Sequence, residues 1–510
     1  MIHIWIMNLF RQTLVIFLIL SLTITIASAA AASAESVTEE WIVHYDAPIG
    51  DNEYVHDMKI DSQGNILILG QADGTMITIK YDSEGNALWE ARYRGTFEAV
   101  DTPVALALDS LDNVIVTGSS DSAITTIKYN SGGEQLWINQ HDEDASLLNY
   151  DKPVALAADG EDDILVGGVV CVQLDDDDLA CVDFDFIVLQ YTAAGDLAWS
   201  EKFDGGKNDC PFDLAVDEQN NVAVTGQSLG TGGPNAFDFF TIVYDADGNQ
   251  KWLARFDGPF PLTDIPVAMA FDPSGNVIVV GKAFAGEQRF DIATVKYDAQ
   301  GNELWRRIHN GPANNDDEPV AVATDDLGNV FVAGISPLAA EGNDLYFDYV
   351  TINYDSSGAE RWIRYYDGLG AHYDQQPADL TVDQAGNVYL TGVSFGGSAA
   401  LDDFATLSYD PDGNDRWTAR FNEPQSFGDL GKRLSIDGDN NVYVAGDVCV
   451  EVNVENTECV DFDAVLIKYK QTDSTDDNDD DDNGDDDDDD NDTIVSDDDD
   501  DDNHDDGCGC

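Results

Sequence analysis

Two acidic turns of this sequence contain the residue types of a calcium-binding loop. One reads DADGN and contains Asp245 and Asp247, and the other reads DPDGN and contains Asp410 and Asp412. Calcium takes about six to eight oxygen ligands, and the EF-hand pattern continues to a distal glutamate that both turns lack. Other copies of the turn read DSSGA and TAAGD, so its formation does not require the acids. The residues favour hairpin turns, with weak calcium sites at the four aspartates as the alternative; no cofactor is firmly implied.

Two pairs of cysteines have the same spacing and are followed by the same four residues. CVQLDDDDLAC runs from Cys171 to Cys181, CVEVNVENTEC runs from Cys449 to Cys459, and both are followed by VDFD. In an exported protein this pattern predicts two local disulfides, Cys171–Cys181 and Cys449–Cys459, each closing one long loop. Zinc is the alternative, but no nearby histidine completes a tetrahedral ligand set. Cys210 has no evident partner.

A third group of acids recurs before prolines. Asp101, Asp151, Asp209, Asp264 and Asp317 each stand two residues before a proline. A ring of such carboxylates would hold a cation, or supply an acid and a base to a sugar substrate. The alternative is a repeated turn, in which the aspartate bonds its own backbone and the proline directs the chain into a strand. Recurrence favours the turn.

Local catalytic signatures are absent from the sequence. It contains no Gly-x-Ser-x-Gly, no P-loop and no dinucleotide fingerprint. His44, His56, His141, His309 and His372 are scattered, with no pair at metal-ligand spacing. A site assembled from separate repeats would leave no local motif, so an enzyme stays open.

These residues belong to a repeat with two motifs and a period of 48 to 58 residues. Tyr-x3-Gly-x3-Trp begins at Tyr81, Tyr129, Tyr191, Tyr244, Tyr297, Tyr354 and Tyr409. An Asp-x-x-[Gly/Asp/Asn]-[Asn/Asp] turn before an alternating apolar run begins at Asp61, Asp109, Asp159, Asp217, Asp272, Asp325, Asp383 and Asp437. The fourth turn residue is always Gly, Asn or Asp, which tolerate a left-handed backbone. Each unit therefore parses into four short strands joined by hairpins, as in a propeller blade.

The two ends of the chain complete one blade. The last unit reaches its third strand at AVLIKYK (464–470) without a following Gly-x3-Trp, while EEWIVHYD (39–46) precedes the first unit. We therefore expect an all-β, eight-bladed β-propeller of four-stranded antiparallel blades over residues 35–470, closed 3+1 by the N-terminal strand. The repeat tryptophans are expected to wedge between blades; they are Trp41, Trp89, Trp137, Trp199, Trp252, Trp305, Trp362 and Trp417.

The repeat resembles the bacterial and archaeal β-propeller repeats of the SBBP type. Their consensus runs like DxxGNVYVTG … DFATxKYDxxGNxxW, and DQAGNVYLTG (383–392) with DDFATLSYDPDGNDRW (402–417) is similar to it. The resemblance covers about residues 41 to 470. It implies an exported or surface-associated protein and carries no assigned activity.

Both termini have biased compositions. Residues 1–34 read as a signal peptide, with Arg11 before the apolar run TLVIFLILSLTITIA and small residues before Glu35; an uncleaved anchor is the alternative. Residues 471–510 contain 22 Asp and end in Gly-Cys-Gly-Cys, which predicts a disordered tail. The tail could serve as a spacer, a weak calcium store, or a tether through Cys508 and Cys510.

The net charge and the domain organisation limit the functions that this chain can have. A net charge of −76 excludes a nucleic-acid surface and disfavours an anionic membrane. We expect a secreted or cell-surface monomer, acting as a non-catalytic binding or scaffold module on an extracellular polysaccharide, protein or surface component. The long loops on one face would make the contacts. The alternatives are a calcium-dependent adhesion protein, a polysaccharide lyase or glycosidase, or a quinoprotein-like dehydrogenase. The last is included because YDAQGNELW (297–305) resembles the tryptophan-docking motif of quinoprotein dehydrogenases.

Overall fold

The computed structural model describes residues 35–472, except 48–51, 97–99, 144–150, 175–180, 207, 230–236, 287–288, 342–343, 370–374, 396–401, 424–427 and 454–457. The predicted signal peptide, all but two residues of the predicted tail, and His372 lie outside the described residues. Regular structure in the described part is entirely β-strand, and it includes no apolar helix of membrane-spanning length.

Eight four-stranded antiparallel sheets form the predicted ring of blades. The first strand in the chain is β1 (Ser36–Tyr45). Blades 1 to 4 contain β2 (Tyr54–Ile60), β3 (Ile66–Ala72), β4 (Thr75–Tyr81), β5 (Ala87–Tyr93); β6 (Thr102–Leu108), β7 (Val114–Ser120), β8 (Ala123–Tyr129), β9 (Gln135–His141); β10 (Lys152–Ala158), β11 (Ile164–Leu174), β12 (Cys181–Tyr191), β13 (Leu197–Phe203); β14 (Cys210–Val216), β15 (Val222–Leu229), β16 (Phe237–Tyr244), β17 (Gln250–Phe256). Blades 5 to 8 contain β18 (Ile265–Phe271), β19 (Val277–Gly286), β20 (Arg289–Tyr297), β21 (Glu303–His309); β22 (Glu318–Thr324), β23 (Val330–Glu341), β24 (Asp344–Tyr354), β25 (Glu360–Tyr366); β26 (Gln376–Val382), β27 (Val388–Phe395), β28 (Asp402–Tyr409), β29 (Asp415–Phe421); β30 (Asp429–Ile436), β31 (Val442–Asn453), β32 (Glu458–Thr472) and β1.

The ring closes 3+1 as predicted. Blade 8 has the order β1-β32-β31-β30, so the N-terminal strand supplies its outer edge. The pairing runs from Ser36 opposite Thr472 to Tyr45 opposite Ala464. Strand β32 thus continues two residues beyond the predicted propeller boundary at residue 470.

The turns between the first two strands have the predicted backbone. In blade 5, Oδ1 of Asp272 accepts the backbone N–H groups of Ser274 at 2.8 Å and Asn276 at 2.9 Å. The fourth turn residue has a positive φ in every blade; these residues are Gly64, Asp112, Asp162, Asn220, Gly275, Gly328, Gly386 and Asn440. The left-handed requirement explains why only Gly, Asn and Asp occur there.

The hydrophobic core lies between the blades. Strand β19 begins with four consecutive apolar residues, and each of them is at most 1% exposed. Val277 and Val279 pack with side chains of blade 4, whereas Ile278 and Val280 pack with side chains of blade 6. Because successive side chains of a strand point to opposite faces, one strand contributes to two adjacent cores.

The connections between second and third strands differ from the prediction of long loops. In blade 5 the pairing continues to Gly286 opposite Arg289, and in blade 6 it continues to Glu341 opposite Asp344. We call the parts of β11/β12, β19/β20, β23/β24 and β31/β32 that extend beyond the blade the hairpin arms. They lie with the fourth-to-first-strand connections on one face, the loop face; the tight turns lie on the other, the turn face.

Candidate functional site

One residue marks the start of the innermost strand of each blade, immediately before it in blades 1 to 7 and as its first residue in blade 8, and we call it the lead residue. The lead residues are at most 6% exposed; they are Glu53, Asp101, Asp151, Asp209, Asp264, Asp317, Gln375 and Asp429. The five aspartates noted before prolines are all among them. Their burial is what the repeated turn predicts, and cation binding or acid–base chemistry by these carboxylates stays a prediction.

Asp264 shows what a lead residue does. Its backbone N–H donates to the carbonyl oxygen of Phe237 in the preceding blade, at 2.7 Å. Its carboxylate oxygens accept the backbone N–H of Phe284 at 2.8 Å and of Gly258 at 2.7 Å. The pKa of Asp264 is raised to about 6, chiefly by burial; the two hydrogen bonds oppose this rise, and the charges of Asp238 and Asp257 add to it. The lead aspartate therefore joins two blades and the loop between them.

The predicted calcium turns are built from the same kind of bond. Oδ1 of Asp245 accepts the backbone N–H of Asp247 at 3.1 Å and of Asn249 at 2.8 Å. Asp410 accepts the corresponding backbone N–H of Asp412 at 2.9 Å. Their described contacts account for turn formation, and calcium binding at these four aspartates stays a prediction.

The two predicted disulfides are present. Cys171–Cys181 and Cys449–Cys459 have Cα–Cα distances of 6.0 and 5.8 Å. Each bridge ties the two strands of one hairpin arm, in blades 3 and 8. Cys210 is a free cysteine at the start of β14, where burial and then the charge of Asp209 raise its thiol pKa.

Apolar side chains are exposed on the loop face. Phe260 and Leu262, in the connection between blades 4 and 5, are 44% and 47% exposed. The ring of Phe260 meets Phe284 edge-on with a centroid distance of 6.3 Å, and Phe284 meets Phe290 in the same way at 5.7 Å. Exposed valines on the disulfide-bridged arms add to this surface; they are Val172, Val450 and Val460.

The innermost strands of blades 8 and 1 carry a basic group that the sequence reasoning missed. It comprises His56, Lys59, Lys432 and Arg433. Lys59 Nζ and Arg433 Nε lie 3.6 and 3.7 Å from Oδ1 of Asp57. The pKa of His56 is lowered to about 4, chiefly by burial and then by the charges of Lys432 and Arg433, against the charge of Asp57. Alignment of the innermost strands would have revealed the group, because YVHDMKI and LGKRLSI depart from TPVALAL and KPVALAA.

Two open, polar grooves lie on the turn face rather than near this basic group. One, of about 280 Å³, lies among the turns of blades 4, 5 and 6 that begin at Asp217, Asp272 and Asp325. The other, of about 490 Å³, lies between those of blades 7 and 8. Their walls are the scaffold turns described above, so the grooves follow from the repeat.

Acids from three segments converge at three blade junctions on the loop face. We call these groups the acid triads; they are Asp46/Glu53/Asp463, Asp185/Asp204/Asp209 and Asp238/Asp257/Asp264. In each, one oxygen from every residue lies within 4.8 Å of the others. Each triad combines a third-strand aspartate, an aspartate directly after the fourth strand, and the next lead residue. Superposing the repeats in sequence would have shown the shared positions, although not that they meet.

Comparisons with known proteins concern the fold alone. No family model and no curated protein matches the chain. The β-propeller domain of the Trilobed protease from Pyrococcus furiosus is 7% identical with a TM-score of 0.42, over 74% of this chain and 98% of that one. A protein from Lactobacillus plantarum is 15% identical with a TM-score of 0.42, over 74% and 98%. Catalytically inactive virginiamycin B lyase from Staphylococcus aureus, with quinupristin, is 12% identical with a TM-score of 0.40, over 70% and 96%.

Proposed function

We propose that this eight-bladed propeller is an exported, non-catalytic binding or scaffold module whose loop face contacts an extracellular polysaccharide, protein or surface component. The observation that carries the proposal is the exposed ring of Phe260, which packs on the partly buried Phe284 and Phe290 beside hairpin arms of unequal length. The tight turns of the opposite face repeat from blade to blade, whereas the hairpin arms of this face differ in length.

Export is the second element of the proposal. Two disulfides are typical of an oxidising environment outside the cytoplasm. The predicted signal peptide and the resemblance to SBBP-type repeats support the same location. A secreted or surface-bound chain with a net charge of −76 would repel anionic polymers, which favours a neutral glycan or a protein as the partner.

A binding assay tests the proposal. The full chain, immobilised on a sensor, is exposed to a panel of neutral and acidic cell-surface polysaccharides and to purified envelope proteins, in calcium and in EDTA. Phe260→Ala should weaken binding at least about tenfold, as expected for an aromatic anchor. Leu327→Ala is the matched control, because Leu327 is 78% exposed on the turn face. Equal effects of both variants would refute loop-face binding, and loss of binding in EDTA would instead favour calcium-dependent adhesion.

The basic group on the innermost strands of blades 8 and 1 supports a second candidate, a lyase or related enzyme acting on an anionic polysaccharide. A neutral His56 imidazole beside Lys432 and Arg433 combines a general base with cations that would neutralise a substrate carboxylate. Incubation with uronate polysaccharides, followed by ultraviolet detection of unsaturated products, tests it. Turnover that disappears in His56→Ala would replace the binding-module proposal.

A further inference from the structure

The triad Asp46/Glu53/Asp463 lies where the ring closes. Asp46 follows β1, Glu53 leads into β2, and Asp463 lies on β32, so the triad joins both ends of the propeller to its first blade. Around it, the backbone N–H of Glu53 donates to the carbonyl oxygen of Phe462 at 2.7 Å. The side-chain oxygen of Asn52 accepts the backbone N–H of Phe462 at 3.0 Å. The three segments are therefore held together before any side-chain charge is considered.

Glu53 differs from the other lead residues in its lack of partners. It is 1% exposed, and neither carboxylate oxygen has a hydrogen bond of normal geometry among the residues that the structure describes; the backbone N–H of Ala47 lies near enough only to lower the pKa of Glu53. In the triad of blades 4 and 5, the corresponding Asp264 has both oxygens bonded to backbone N–H groups. A buried carboxylate without donors costs several kcal/mol, so its retention requires a compensating positive charge or a proton.

The surrounding charges are predominantly negative. The pKa of Glu53 is raised to about 8, chiefly by burial and then by the charge of Asp463; the backbone N–H of Ala47 opposes this rise, and Asp461 and Asp46 add to it. Burial also raises the pKa of Asp463 to about 6, with contributions from Asp46 and Asp461. A proton on Glu53 would be a donor that itself lacks an acceptor among the described residues. Protonation therefore relieves only part of the cost.

Another junction shows how side chains neutralise such acids. In blade 7, Asp403 receives the guanidinium of Arg420 at 2.9 Å and the side-chain amide of Asn422 at 2.5 Å. The position of Arg420 in the repeat is occupied in blade 8 by His44, which instead lies 3.5 Å from Glu423. The position of Asn422 is occupied by Asp46, which adds a negative charge.

We propose that Asp46, Glu53 and Asp463 bind a calcium ion that fastens the closure of the ring. Oxygen–calcium distances of about 2.3–2.6 Å allow opposite ligands about 4.6–5.2 Å apart, which accommodates the spacing within the triad. Calcium accepts an irregular set of carboxylate and backbone oxygens, whereas magnesium requires near-octahedral geometry. Zinc prefers nitrogen and sulfur ligands, which this site does not offer. The ion would stabilise the folded ring because unfolding separates its three ligand segments.

Thermal unfolding of the full chain tests the site, with 10 mM calcium, 10 mM magnesium or EDTA as the probes. Calcium should raise the melting temperature of the unmodified chain by about 2–5 °C. Glu53→Gln should abolish this shift and, in EDTA, should melt above the unmodified chain because the buried charge is gone. Asp46→Asn, at the exposed ligand, should also lose the shift without altering a buried residue.

Asp257→Asn is the matched control, because Asp257 holds the position of Asp46 in the triad whose lead residue is already satisfied. It should keep the full calcium shift. Hydrogen exchange should localise the effect: calcium slows exchange in β1 and leaves β17 unchanged. The proposal is overturned by a calcium shift that survives in Glu53→Gln, as binding elsewhere in this acidic chain would produce. No shift in the unmodified chain, or an equal shift with magnesium, would overturn it as well.

Discussion

Trp305 donates its Nε1–H to the carbonyl oxygen of Ser356 in the following blade, at 3.2 Å. The same ring lies over Gly358, where an added Cβ would come within 2.6 Å of Cδ2 of Trp305. Six other repeat tryptophans bond a backbone carbonyl of the next blade in the same way. Trp417 instead donates to the side-chain oxygen of Gln471 at 3.0 Å, because blade 8 has no such turn after β32. The glycine of one repeat and the tryptophan of the preceding repeat thus form one contact between adjacent blades.

Replacing Gly358 with alanine should show that this position requires both a positive φ and space for the ring of Trp305. Gly358 has a φ of +80°, so alanine there is strained by about 1–2 kcal/mol, and the contact with Trp305 adds about 1–3 kcal/mol. Gly64→Ala is the control, because Gly64 has a φ of +79° and nothing within 4 Å of the added Cβ. Urea unfolding measures both. Equal losses would mean that Trp305 moves aside freely and does not act as a wedge.

A buried ion pair provides a second test of how blades are joined. Nζ of Lys296 lies 2.7 Å from Oδ2 of Asp272, with side-chain exposures of 2% and 3%. The same ammonium donates to the carbonyl oxygen of Ser356 in the next blade at 3.3 Å. Lys296→Met should cost about 3–5 kcal/mol, since it leaves a buried carboxylate unpaired.

The double variant Lys296→Met/Asp272→Asn should recover part of that loss. Burial tends to raise the pKa of Asp272, but Lys296 and Asn276 outweigh it and hold the pKa below its usual value. The stability from this depression is present above the unfolded pKa of 3.8 and is lost as pH falls through the lower folded value. A double variant no more stable than Lys296→Met would show that the ammonium contributes through Ser356 alone.

The fold was predictable because each blade repeats the same local chemistry. The left-handed position at Gly275 and the Gly358–Trp362 spacing are visible within short windows, and the copies of each motif reinforce one another. Even the closure could be inferred, because an unpaired strand at one end matched a missing strand at the other. Strand lengths were less predictable: acidic and glycine-rich residues around Glu341 and Asp344 read as loop, although they pair in the structure.

The candidate site was predictable only in part, because its residues meet through ring closure. Asp46 and Asp463 are near opposite ends of the chain, and no spacing rule relates them. The recurring aspartates before prolines were favoured as scaffold, and the backbone hydrogen bonds of Asp264 are of that kind. The difference between Glu53 and Asp264 depends on which backbone N–H groups each reaches, which sequence spacing does not reveal.

Stability in EDTA should increase as pH falls from about 6 towards 4. The pKa of Asp291 is raised to about 6, chiefly by burial and then by the charge of Asp317, against Arg289. A carboxyl with a folded pKa above its unfolded value of 3.8 binds its proton more tightly when folded. Its penalty is therefore complete above pH 6 and fades as pH falls towards 4. Asp291→Asn should flatten this part of the melting profile, whereas Asp412→Asn, with an 83% exposed side chain, should not. A profile that rises with pH over this range would contradict the raised pKa values.

Removing one disulfide should destabilise the propeller without preventing its closure. Cys171 and Cys181 are 10 residues apart, and the entropy of closing such a loop corresponds to about 2–3 kcal/mol. The bridge ties a hairpin arm that extends beyond blade 3, so Cys171→Ser/Cys181→Ser should lower stability by at most this amount and keep the calcium response. The same substitutions at Cys449 and Cys459 should act more strongly on closure, because β31 and β32 belong to the blade that β1 completes. Differential scanning calorimetry, combined with hydrogen exchange in β1, measures both effects. If the blade 3 variant released β1 as readily as the blade 8 variant, the arms would be coupled around the ring rather than local to their blades.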